Sequence, residues 1–329
     1  MGLLKKLVTA VLGLQLVVIC FSYSQKNDTL KDVRFLVIGD CGGLPFPPYF
    51  TKVGKTTAAE MAKVTQSLGV DFILNLGDNF YYHGVKDVND FRFKESFETV
   101  FADPAMMNIP WYVIAGNHDH LGNVSAQMAY SQRSRRWRYP YYYYDLQFRI
   151  PSTNASITIL MIDTVLLCGN TYNKKQPGGP ENVDIVEKQI SWITKKLKDC
   201  RSEFLIVAGH YPVWSIGHHG PTNCLIQILR PLLKKYKVTA YFSGHDHNLQ
   251  LIKEDDGIAY IVSGSGNFVD KSVAHEYEVP HNWLHFFNAN ISTLGGFVHV
   301  KTTSEEMIIT YIQPYGMQVF QSVLPKRKL

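Results

Sequence analysis

The chain has 329 residues, 46% of them hydrophobic, enough to bury a substantial core, and it shows neither an internal repeat nor a low-complexity tract. Its formal net charge of +5 suits acidic substrates or surfaces and falls short of a nucleic-acid-binding signature.

Lys5 and Lys6 precede an apolar stretch from Leu7 to Phe21, with Ser22 and Ser24 as small residues for cleavage. Residues 1–24 therefore read as a secretory signal peptide. The stretch is shorter than the ~20 residues a spanning helix needs, so a retained anchor ranks below cleavage. A single domain over 25–329 is expected, without stable membrane insertion and as a monomer.

Downstream, apolar runs predict short buried strands, and five of them stop at polar punctuation. Val33 to Ile38 ends at Gly39-Asp40, and Phe72 to Leu76 at Gly77-Asp78-Asn79-Phe80-Tyr81. Ile109 to Ala115 ends at Gly116-Asn117-His118-Asp119, Phe204 to Ala208 at Gly209-His210, and Val238 to Phe242 at Gly244-His245-Asp246-His247. Further strands are expected at Ile157 to Asp163, Ala259 to Ser263, Gly296 to Thr302 and Met307 to Gln313. Helices are expected at Thr57 to Leu68, Val183 to Leu197 and Cys224 to Tyr236, the last with Asn223 as N-cap. Arg133, Arg135, Arg136 and Arg138 form a basic cluster, read as an exposed helix end and an edge strand ahead of a phosphoprotein-docking patch.

Glycine at a strand end lets the backbone turn sharply, so that the next side chain points into the crevice beyond the carboxyl edge of the sheet. Any one such histidine or Gly-Asp pair would be an ordinary structural feature. Together, Asp40, Asp78, Tyr81, Asn117, His210, His245 and His247 supply two carboxylates, a phenol, an amide and three imidazoles. Seven donors exceed one tetrahedral zinc. If one carboxylate bridges, they divide into two half-sites open to water and substrate. Tyr81 discriminates among metals, because a phenolate is a hard anionic oxygen that favours Fe(III).

At GDCGG, NLGDNFYYHG, IAGNHDHLGN, VAGHYPVWS and FSGHDHNLQ, in that order, the chain resembles the purple acid phosphatases, in particular their small animal type. The resemblance covers about residues 30–329. It implies an α/β fold, a four-layer α/β/β/α metallophosphatase sandwich of two mixed sheets flanked by helices. It also implies two metal ions: Fe(III) at Asp40, Asp78, Tyr81 and His247, and Fe(II) or Zn(II) at Asp78, Asn117, His210 and His245, with Asp78 bridging. The expected reaction is hydrolysis of phosphate monoesters, including phosphoproteins and nucleotides, by attack of metal-bound hydroxide on phosphorus. His118 and His219 would bind phosphate oxygens and protonate the leaving alkoxide. A dimetal phosphodiesterase or nucleotide hydrolase on the same scaffold is the alternative. A non-catalytic secreted binding protein comes third.

Secretion leaves four cysteines after the signal, with three possible pairings. The resemblance selects Cys168 with Cys224, leaving Cys41 as a buried thiol and Cys200 unassigned. Of the sequons at Asn27, Asn123, Asn154 and Asn290, it favours Asn123 and Asn154 as glycan sites, in a lysosomal or extracellular protein. Two departures stand out. His218 replaces the usual acidic residue beside His219. In the 169–181 loop, which covers the site in family members and is relieved by proteolysis, Thr171, Tyr172 and Asn173 replace acidic residues ahead of Lys174 and Lys175.

Overall fold

The computed structural model describes residues 31–171 and 176–328. The signal-peptide reading, Asn27 and the Tyr172 to Lys175 part of the loop lie outside them. The first half of the chain runs β1 (Val33–Ile38), α1 (Lys52–Leu68), β2 (Phe72–Asn75), β3 (Trp111–Val113), α2 (Val124–Tyr130), β4 (Trp137–Arg138), β5 (Tyr144–Arg149), β6 (Ser156–Met161) and α3 (Thr164–Cys168). The second continues with α4 (Val183–Asp199), β7 (Phe204–Ala208), α5 (Asn223–Ile228), α6 (Arg230–Lys235), β8 (Ala240–Ser243), β9 (Leu249–Lys253), β10 (Ala259–Ser263), β11 (Leu284–Asn288), β12 (Phe297–Thr302), β13 (Glu306–Gln313) and β14 (Met317–Pro325).

Two seven-stranded mixed sheets result, in the orders β14-β13-β12-β1-β2-β3-β4 and β11-β9-β10-β8-β7-β6-β5. The strands followed by the candidate donors are parallel: β1, β2 and β3 in one sheet, β7 and β8 in the other. Their carboxyl ends therefore gather along one edge. Alternation builds the layers. Phe35 of β1 faces Phe242 of β8 across the sandwich, with ring centroids 6.4 Å apart. On β7, Ile206 joins this central core, whereas Leu205 and Val207 pack outward against Leu197 of α4 and Leu225 of α5. On α1, Ala58, Met61, Ala62 and Thr65 recur at helical spacing and are buried.

Four expectations shift for local reasons. Helix α1 begins at Lys52 because Thr51 caps it, its hydroxyl accepting from Gly54 N–H at 3.0 Å. Strand β3 is confined to Trp111–Val113, since Pro110 has no N–H and contributes only its carbonyl, which accepts from Ile73. The single helix expected at 224–236 is two, broken at Leu229, where Pro231 in the first turn of α6 cannot donate to the preceding turn. Its N-cap is Thr222, and Asn223 is already helical. In the basic cluster, β4 is an edge strand as read, but Arg136 is buried, held by Glu98 and by the Phe101 carbonyl at 2.5 Å. No helix among the described residues is long and apolar enough to cross a membrane.

Candidate functional site

All seven donors meet where the two sheets abut. The sharp turn belongs to the candidate ligands themselves: Asp40, Asp78 and His245 have φ of 56°, 53° and 69°, in the left-handed region that costs non-glycine residues energy. The glycines instead provide room. A Cβ on Gly116 would overlap the Asp78 carboxylate and His210, and one on Gly244 would overlap Asp40 Oδ2. Strain at three candidate ligands and bare backbone beside them bring these side chains into close approach.

The two groups of donors share buried walls. Asp40, Asp78, Tyr81, Asn117, His210 and His245 are all at most 5% exposed. On one side, Tyr81 Oη lies 3.2 Å from Asp40 Oδ1 and 3.1 Å from His247 Nε2, which is 3.6 Å from Asp40 Oδ1. On the other, His210 Nε2 lies 2.9 Å from Asn117 Oδ1 and 3.5 Å from Asp78 Oδ1, with the His245 ring 5.1 Å from that of His210. Ligand atoms of Asp40, Asp78 and His210 all fall within 4.8 Å of one another.

Hydrogen bonding tests whether a cation fits. His210 Nδ1 sits 2.9 Å from the Leu76 carbonyl, which can only accept, so Nδ1 carries the proton. In the neutral ring, Nε2 then presents a lone pair to two oxygens that are themselves acceptors. Three acceptors facing one another in a buried space are stabilised by a metal ion. The residues present therefore fit a metal centre, and their oxygen and imidazole chemistry suits iron or zinc.

Titration follows the same crowding. Burial alone would raise the Asp78 carboxyl, but His210 and His118 hold it below the ordinary range. Burial pushes the Tyr81 phenol well up, and Asp40 and Asp78 push it further, so its ionisation requires a cation at hand. His245 is held well down by burial and then by His219 and His210. For His247, burial acts downward but the Asp40 carboxylate, as hydrogen-bond acceptor and as a charge, wins and holds it up.

His118 and His219 flank the donors. The His118 ring packs 4.7 Å from Tyr81 and is 28% exposed, with Nε2 4.0 Å from Asp78 Oδ2. His219 stacks on His245 at 4.0 Å, its N–H donates to Asp246 Oδ1, and its Nδ1 is buried without a partner. His218 is exposed and meets His219 edge-on at 4.9 Å.

Sequence motifs contained, but did not single out, two supporting carboxylates. Asp119 accepts from the N–H groups of Asn79 and Gly116 and from Gln127, fastening the Asp78 and Asn117 turns together. Burial and then the Asp78 charge push it up to about 6. Asp246 accepts from Ser215 Oγ and His219 N–H. Each stands one residue from a ligand or a site histidine, which was the available signal.

Cys168 and Cys224 form a disulfide, while Cys41 is a buried free thiol, raised by burial and then by Asp40, and Cys200 is free and half-buried. Asn123 and Asn154 are exposed, and Asn123 also caps α2.

A family profile described as calcineurin-like phosphoesterase matches residues 33–249. Tartrate-resistant acid phosphatase type 5 of Homo sapiens is 51% identical over 297 residues, covering 90% of this chain and 91% of that protein. Purple acid phosphatase 7 of Arabidopsis thaliana is 30% identical, covering 92% and 89%. Among solved structures, GAP50, the anchor in the inner membrane complex of Plasmodium, superposes with a TM-score of 0.77 at 26% identity over 90% of each chain. A yellow lupin purple acid phosphatase shares the fold at a TM-score of 0.65 and 15% identity, over 89% of this chain and 54% of that one. With a profile spanning most of the chain and half its residues identical to a type 5 enzyme, this protein belongs to the calcineurin-like phosphoesterase family and, within it, to the purple acid phosphatases.

Proposed function

We propose that this acid phosphatase hydrolyses phosphate monoesters, including phosphoproteins and nucleotides, at a centre of two metal ions. Asp40, Asp78, Tyr81 and His247 would hold Fe(III). Asp78, Asn117, His210 and His245 would hold Fe(II) or Zn(II), with Asp78 common to both. When bound, such a pair supplies Lewis acidity toward phosphate oxygens and lowers the pKa of water.

The protein's own contribution is positioning and proton supply. His118, partly exposed beside Tyr81, can hold a proton at Nε2 toward the leaving oxygen. His219, fixed by stacking on His245 and by its backbone bond to Asp246, can meet a phosphate oxygen from the other flank. The buried walls exclude water from all but the open face, which strengthens each charge interaction within.

The scaffold alone does not specify hydrolysis, since GAP50 is an anchor with a similar fold. The observation that carries the catalytic reading is Tyr81, whose hydroxyl stands between Asp40 and His247 opposite the His210–Asn117 pair. We further propose entry to the secretory pathway through a signal at residues 1–24, a single mature domain over 25–329, glycans at Asn123 and Asn154, and a monomer in lysosomal or extracellular fluid. Assay of the purified protein at acidic pH with p-nitrophenyl phosphate and bis(p-nitrophenyl) phosphate tests the reaction. A preference for the monoester is expected. Dominant diester cleavage would promote the phosphodiesterase alternative, and inactivity with both ions bound would promote the binding-protein one.

A further inference from the structure

The outer face of the first sheet carries a groove of about 310 Å³ between the end of α1 and β14. Its strands are in register there: Arg34 pairs with Lys301, and His299 pairs with Thr310, which pairs with Gln321. Arg34 alternates with Phe35, which faces the central core, so this set points away from the sandwich interior. It also lies at the amino-terminal half of β1, whereas the metal-ligand candidate Asp40 follows the carboxyl end.

Three features mark the groove as built for a ligand. Arg34 and Lys301 line it together with the amides of Gln318 and Gln321, and none of its lining residues is acidic. Asp32 takes Arg34 Nε at 2.7 Å, Arg34 Nη2 at 3.1 Å and Lys301 Nζ at 3.5 Å, Arg34 Nη1 donates to the Leu68 carbonyl, and Asp71 accepts from the Arg34 backbone N–H at 2.8 Å, which leaves Lys301 and the remaining guanidinium N–H groups of Arg34 for a ligand. His299 is 5% exposed, yet its Nε2 has no hydrogen-bond partner. A buried polar atom left unpaired is costly, and the adjoining groove is where a partner would enter. Burial, then Arg34 and Lys301, hold the His299 imidazole down to about 4, so it is a neutral ring in mildly acidic solution.

We propose that this groove is a second, non-catalytic site for a tetrahedral oxyanion of the sulfate or phosphate class, free or as the ester of a small polar molecule. Arg34 and Lys301 supply the charge, His299 Nε2 and the two glutamine amides supply directed hydrogen bonds, and Leu68 and Ile308 leave an apolar wall for the organic part of an ester. The site is independent of the reading of the catalytic centre.

The test follows the His299 ring by NMR in histidine-labelled, metal-loaded enzyme at pH 6, its resonances assigned by their loss in His299→Gln. Sodium sulfate and glucose 6-sulfate are titrated separately at ionic strength held constant with sodium chloride. A saturable shift with sulfate is expected, weakened about fivefold in Lys301→Gln, which removes one exposed charge partner. Turnover and KM for an aryl phosphate should remain those of the wild type in both variants. Tighter binding of the sugar sulfate would identify an ester as the fitting ligand, and equal binding a free ion. A shift that never saturates, one that chloride reproduces, or wild-type affinity in Lys301→Gln would overturn the proposal.

Discussion

His118 Nδ1 lies 2.7 Å from the backbone carbonyl oxygen of Tyr82. A carbonyl only accepts, so Nδ1 keeps its proton in both charge states and Nε2 is the nitrogen that exchanges one. Because Tyr82 follows Tyr81, the segment that brings the phenol also orients the proposed acid. His118→Ala should lower turnover of alkyl phosphates about 10²-fold and affect esters with good leaving groups much less. Steady-state kinetics on both classes checks this, and an equal loss for the two would remove His118 from proton donation.

His120 Nε2 and Asp163 Oδ2 are 2.8 Å apart and almost wholly enclosed. Burial would lower the imidazole, but Asp163 prevails and holds it above its ordinary value of 6.5. A raised folded-state value means that the stabilisation is complete below pH 6.5 and is lost as pH rises through that value. His120→Gln, which leaves Asp163 without its cation, should therefore cost about 3 kcal/mol at pH 5 and less in alkaline solution. Denaturant unfolding of the two proteins across pH measures the gap, and a gap that widens with pH would contradict the pairing.

The strands that sequence pattern locates to the residue, β1, β7 and β10, have every or nearly every side chain buried on both faces, so they read as apolar runs, broken only by Arg34 near the start of β1 and closed by Ser263 in β10. Strand β9 escapes that signal although buried, because Gln250 interrupts it; its amide serves Asn248, two residues back, and Ser215, which lies 35 residues away in another motif. Strand β14 escapes because it is an edge with exposed Gln318, Gln321 and Val323. The donors are legible for a geometric reason: each follows a strand end. The supports Asp119 and Asp246 are not, since Asp119 acts on Asn79, 40 residues away, and Asp246 on Ser215, 31 away. Whether residues so separated meet is settled by the packing of the two sheets.

The Cys168–Cys224 bond spans 56 residues and brackets the loop that contains Lys174 and Lys175. The loop is tied to the site region on both sides of those lysines, through Asn170 Nδ2 to the Asn117 carbonyl at 2.9 Å and Gln176 Nε2 to the Pro221 carbonyl at 2.7 Å. Limited trypsin treatment should cut at Lys174 or Lys175 and raise turnover, with one band on a non-reducing gel and two after reduction. Verified cleavage with unchanged kinetics would show that the loop does not restrain the enzyme. Without the bond, loop-closure entropy alone predicts a loss of about 4 kcal/mol of stability, measurable in Cys168→Ser/Cys224→Ser by denaturant unfolding.

Crowding at the donors makes a steric prediction as well. Gly116→Ala places a methyl group against the carboxylate and backbone nitrogen of Asp78 and against His210. Metal content, by elemental analysis after extensive dialysis, should fall well below that of the wild type while far-ultraviolet circular dichroism is preserved. Full metal content in the variant would mean that Asp78 and His210 are not both ligands.

The proposed centre depends on Tyr81 as an anionic ligand to Fe(III), and the visible spectrum of the purified protein, taken with its metal content, tests that most directly. A phenolate on Fe(III) gives a ligand-to-metal charge-transfer band, so wild-type protein should be purple to pink, and Tyr81→Phe should lose the colour while keeping the other six donors. Wild-type protein that binds two metal ions and shows no visible band, even after mild oxidation, would contradict the iron–tyrosinate centre.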